Sequence, residues 1–85
     1  MTPDYESVFR DARLELEKAT SAWPRFNSGH EGYGIIAEEL RELEEIVFQK
    51  QKDRDLDKLR REAIQLAAMA IRFAAEVCNE NVGRR

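Results

Sequence analysis

Cysteine is almost missing from this chain. Cys78 is alone, so no intramolecular disulfide and no Cys-x-x-Cys pair for zinc or dithiol chemistry can form. Near the end of an apolar helix, Cys78 reads as a small buried hydrophobe, and a reducing, cytoplasmic setting fits. Two prolines and four glycines are scattered along the chain. There is no period-two alternation, hairpin signal or internal repeat, which argues against a sheet. No apolar run approaches the about 20 residues that span a bilayer, and no signal peptide opens the chain, so no membrane association is expected. A cationic excess is missing too. Fourteen Lys and Arg face seventeen Asp and Glu, a net charge of −3, which disfavours a nucleic acid polymer as partner. What remains is 42% hydrophobic and 36% charged, too apolar for a disordered tail. It makes one domain over 1–85, whose own core is marginal at this length.

The apolar spacing predicts three helices, over about 3–22, 29–50 and 55–79, with a polar tail at 80–85. Thr2 can cap the first helix, and Pro24 ends it. Val8, Ala12, Leu16, Ala19 and Trp23 recur on one side. Trp23, Phe26 and Tyr33 are expected to close the core over the helix ends. Ser28 and Glu31 form a capping box for the second helix, whose apolar seam is Ile36, Leu40, Leu43 and Val47. Gly32 and Gly34 weaken it unless another helix packs closely there. Asp53 or Asp55 can cap the third helix. Its main apolar face reads Leu59, Ala63, Leu66, Ala67, Ala70, Phe73, Ala74 and Val77, while Ile64, Met69 and Ile71 lie outside that seam. A helix apolar on so many sides needs more neighbours than two, so the fold class is all-α, with a bundle of four or more helices completed by homo-oligomerisation across a symmetric interface.

The second helix carries Glu38, Glu39, Glu42, Glu44 and Glu45. A charge cluster is ordinarily a solvated face. Glu39 and Glu42, however, share a helical face with Ile35 and Ile46, at the edge of the core. Glu62 and Gln65 share a face on the third helix. Antiparallel packing of the two helices would bring three carboxylates and an amide oxygen together. Such a set is costly without a hard cation, and Mg²⁺ or Mn²⁺ prefers oxygen ligands. Lys58, Arg60, Arg61 and Arg72 are candidates for phosphate contact. Arg72 interrupts an apolar stretch, and its plainer role is a snorkelling arginine or an ion pair. His30, at the start of the second helix, is either an exposed terminal residue or a contact for phosphate or base.

Glu38-Glu39-Leu40-Arg41-Glu42 followed by Glu62-Ala63-Ile64-Gln65 resembles the paired E-E-x-x-E and E-x-x-D motifs of the MazG-type all-α nucleotide pyrophosphohydrolases. The likeness spans His30 to about Phe73, and the second motif has lost its Asp to Gln65. The resemblance implies a MazG-like helical bundle assembled as a homodimer or homotetramer, a nucleotide ligand and Mg²⁺, with release of a nucleoside monophosphate and pyrophosphate. It implies Glu39, Glu42 and Glu62 as metal ligands, Gln65 in the place of the last ligand, and Glu38 as the acid that orients the attacking water. The alternative is a relative that keeps the helical oligomer as an interaction module and has lost the chemistry.

Overall fold

A computed structural model describes residues 2–78. It contains α1 (Tyr5–Ala22), α2 (Gly29–Val47) and α3 (Leu56–Glu76), with a single 3-10 turn at Gln51–Asp53 before α3. There is no strand among the described residues. Asp4, not Thr2, caps α1, its Oδ1 accepting from the Ser7 N–H at 3.1 Å. Asp4 directly precedes the helix, whereas Thr2 stands too far upstream to reach the unpaired N–H groups of the first turn. The Ser28 hydroxyl accepts from the Glu31 N–H at 3.1 Å, and the Glu31 carboxylate accepts from the Asn27 N–H. The capping box therefore closes one residue further out than the simplest version. Asp55 caps α3 through the Asp57 and Lys58 N–H groups.

α2 stops at Val47, short of the expected boundary near 50. Arg54 folds back from the link and donates to the Val47 carbonyl at 2.8 Å, satisfying one acceptor orphaned at that helix end. α3 stops at Glu76, and the polar tail at 80–85 lies outside the described residues.

α3 is central. α1 and α2 each pack against it and hardly touch each other. α1 runs parallel to α3: Arg60 pairs with Asp11 at 2.8 Å near their starts, and Ala19 meets Ala68 and Met69 further along. α2 runs antiparallel, with Glu42 close to Glu62 and Gly32 set beneath Phe73. The core cluster is Ala19, Ala68 and Met69, with Leu16, Phe26, Ile35 and Ile36 packed on it. Ile46 and Ile64 are buried as well.

Four expectations are corrected. α3 turns inward the side bearing Ile64, Ala68, Met69 and Arg72, while Ala63, Ala67, Ala70 and Ala74 stay exposed. Small alanines lose little by staying exposed and the bulkier Ile64 and Met69 gain more by burial, while Leu59, Leu66, Phe73 and Val77 of the expected face are half-buried. On α2, Leu40 and Val47 are likewise exposed. Trp23 and Tyr33 do not close the core; they are 67% and 68% exposed, and Phe26 alone of the three packs inward. Cys78 is exposed, because α3 has already ended before it.

Candidate functional site

Because α1 and α2 diverge over α3, an open cleft of about 570 Å³ lies between them. Ala19, Met69 and Ile35 give it an apolar floor, and Trp23, Pro24 and Phe26 form one end. Glu15 and Lys18 of α1 face Glu38 and Glu39 of α2 across it, and Gln65 and Arg72 reach it from α3. Sequence reasoning missed the α1 wall. Its one signal was the i,i+3 pair of Glu15 and Lys18, which meet at 3.6 Å and resemble any surface pair.

At the edge of this cleft, antiparallel packing brings Glu39 and Glu42 against Glu62. One carboxylate oxygen from each lies within 4.8 Å of the other two. Glu39 and Glu62 are half-buried and Glu42 is exposed. Burial first, then the charges of Glu42, Glu62, Glu38 and Glu15, raise the Glu39 pKa above the usual carboxylate value. Burial also raises that of Glu62, together with its hydrogen bond to Glu42 and that neighbour's charge; Lys58 and Arg61 oppose the shift. Glu39 and Glu62 therefore hold protons more tightly than free glutamates do, because burial and then neighbouring acids disfavour their charged forms. Gln65 sits between them. An amide oxygen turned toward the acids would meet only other acceptors; oriented with its nitrogen toward them, the amide donates to Glu62 Oε1 and to Glu39 Oε1, each at 3.3 Å.

Glu38 is exposed on the cleft wall, outside the trio. Lys58 and Arg61 lie near Glu62 but line no part of the cleft, and exposed His30 does not line it either. Arg72 does line it, yet its guanidinium is committed elsewhere. It is 3% exposed, pairs with Glu76 at 2.8 Å, donates to the Pro24 carbonyl at 2.7 Å, and lies 4.4 Å from the Phe26 ring centroid. Glu76 in turn accepts from the Phe26 N–H at 2.8 Å. The arginine is a strut that ties the α1–α2 loop to α3, which is the plainer of its two expected roles.

Fold and site together define a small all-α protein with a carboxylate trio at the edge of an open cleft. No family model, curated protein or solved structure matches the chain.

Proposed function

We propose that the protein is a Mg²⁺-dependent nucleoside triphosphate pyrophosphohydrolase, with Mn²⁺ as an alternative cation. The convergence of Glu39, Glu42 and Glu62 within 4.8 Å carries this reading. The donor set fits the ion, since all three groups offer hard carboxylate oxygens and two hold raised pKa values that a cation would reverse. When bound, the cation supplies neutralisation of phosphate charge, the main requirement of phosphoryl transfer. Glu39 and Glu62, half-buried, would hold it from the two helices, with exposed Glu42 between cleft and solvent. Glu38, on the cleft wall, orients a water toward the α-phosphorus and takes its proton. The bond from that phosphorus to the bridging oxygen breaks, leaving a nucleoside monophosphate and pyrophosphate. The aromatic end of the cleft, at Trp23 and Phe26, suits a base.

The site works in a homodimer or homotetramer in the cytoplasm. Support for assembly comes from the outward stripe of α3 and from a groove of about 330 Å³ lined by Leu40, Leu43, Glu44, Val47 and Phe48. Phe48 is 79% exposed, and no large side chain among the described residues is fully buried within one copy. Among the described residues no helix is long and apolar enough to cross a membrane.

A second reading, a helical oligomer without catalysis, is favoured by one observation. The Gln65 amide lies against two of the acids and, with its nitrogen turned toward them, bridges both, so their convergence does not require a cation. The test is a thermal-shift screen of nucleoside triphosphates with Mg²⁺, run beside pyrophosphate release. A substrate raises the melting temperature by mass action and is cleaved. A panel that neither stabilises the protein nor yields pyrophosphate overturns the enzyme.

A further inference from the structure

The place of Gln65 among the acids has a meaning apart from catalysis. The side chain is half-buried at the cleft. It comes from α3, one turn beyond Glu62, and reaches back to Glu39 on α2. Its amide group therefore reaches across the helix–helix seam, and the orientation that satisfies it turns the NH₂ toward both half-buried acids, at 3.3 Å from each. A carboxylate at position 65 could only accept, and would add a fourth negative charge. An alkyl side chain would leave the two acids facing each other without a donor. Glutamine alone among side chains of this length offers a donor and an acceptor on one planar group, at no net charge.

We propose that Gln65 is a positioning residue that assembles the acid trio before any cation arrives. In the cation-free protein its amide nitrogen takes the place a positive ion would fill, holding Glu39 and Glu62 across the α2–α3 seam. Turning the amide about its last torsion exchanges nitrogen for oxygen at the same spot, so the same residue faces a divalent ion with an acceptor. The turn costs the two donated bonds. Gln65 thus sets a threshold: the trio is preorganised, but an ion must displace an internal donor to occupy it. The metal half of this proposal rests on the function proposed above. The cation-free half does not.

The experiment separates the halves. The first arm uses the whole chain in chelator at neutral pH, as wild type and as Gln65→Met, which keeps length and apolar volume but removes both polar atoms. The clamp requires that Gln65→Met melt lower than wild type by about 5 °C, the loss expected in a small domain when donors to charged groups disappear. It further requires that the Gln65 side-chain NH₂ protons, assigned by ¹⁵N NMR, resonate apart from those of exposed glutamines. Equal melting with ordinary NH₂ shifts overturns the clamp, whatever the protein catalyses. The second arm adds MgCl₂ or MnCl₂ alone. The threshold requires about tenfold tighter Mg²⁺ binding in Gln65→Glu than in wild type, with a shift of the NH₂ resonances in wild type as Mg²⁺ binds. Unmoved resonances with bound Mg²⁺ overturn the exchange of nitrogen for oxygen. Absence of Mg²⁺ binding in both proteins overturns the metal-dependent function and the threshold while leaving the cation-free clamp to the first arm.

Discussion

Gly32 lies so close beneath Phe73 that a Cβ built on it would stand 2.7 Å from the ring's Cδ2, with Phe26 Cδ2 at 2.9 Å. Two aromatic rings, Phe73 of α3 and Phe26 of the α1–α2 loop, converge on this one backbone position. Gly34, two residues on, has nothing within 4 Å of its virtual Cβ. Opposite outcomes follow. Gly34→Ala should stabilise by roughly 0.5–1 kcal/mol, since the helix loses a flexible residue and meets no obstacle. Gly32→Ala should destabilise by about 1–3 kcal/mol, because overpacking outweighs the same gain in propensity. Urea midpoints of the two variants, moving in opposite directions from wild type, check both.

The acid trio predicts a crossing between Glu62→Gln and wild type. The raised pKa values of Glu39 and Glu62 mean that the folded state holds protons the unfolded chain releases. That contribution is full below the ordinary glutamate value of 4.5 and is lost as pH rises through the raised values. Without divalent ions, Glu62→Gln should therefore be the more stable protein at pH 7, and the gap should close below pH 4.5. Saturating Mg²⁺ should reverse the order at pH 7, raising the melting temperature of wild type alone. Calorimetry that finds no divalent-ion heat in wild type, with or without nucleotide, would remove the metal from the account.

Arg72 and Glu76 predict the opposite pH dependence. Burial works against the Glu76 charge, but the Arg72 hydrogen bond, the Phe26 N–H and the nearby Arg72 and Arg25 charges outweigh it and lower the pKa. A lowered pKa gives stability that is present above the ordinary value and lost as pH falls through the folded one. Glu76→Gln should be less stable than wild type at pH 7, with the difference shrinking in acid. Arg72→Met should cost about 3 kcal/mol, since it strands a half-buried carboxylate. Chemical denaturation of the three proteins from pH 7 down to pH 3 reads both effects.

Assembly should depend on the outward face. Light scattering at micromolar concentration should give a multiple of 9.9 kDa, and the double variant Leu40→Glu with Phe48→Glu should reduce it toward one copy. A wild-type protein that scatters as a stable 9.9 kDa particle would overturn the oligomer.

The sequence reading and the structure agree where a local signal decides the outcome. Ser28 and Asp55 cap their helices because a short polar side chain directly ahead of a helix has few better partners. The meeting of Glu39 and Glu42 with Glu62 was legible from i,i+3 spacing once antiparallel packing was assumed. The inward face of α3 was not legible. Periodicity locates apolar stripes but does not say which neighbour each meets, and α3 has two, with Ile64 and Met69 on one and Ala63, Ala67 and Ala70 on the other. Arg72 was harder still. Its core position depends on the Pro24 carbonyl and on Glu76, one distant in sequence and the other hidden as one more acid at the end of a helix.

The sparse contact between α1 and α2 gives the cleft the mechanics of a spring clip. The two arms share a backing in α3, and their connecting loop is pinned to that backing by Arg72 at Pro24 and by Glu76 at Phe26. Among the described residues no side-chain hydrogen bond or ion pair joins α1 to α2. The gape is therefore governed at the pinned end, near the aromatic side chains. A guest that pries the arms apart would therefore load the two bonds that tie the loop to α3, from Arg72 to the Pro24 carbonyl and from the Phe26 N–H to Glu76.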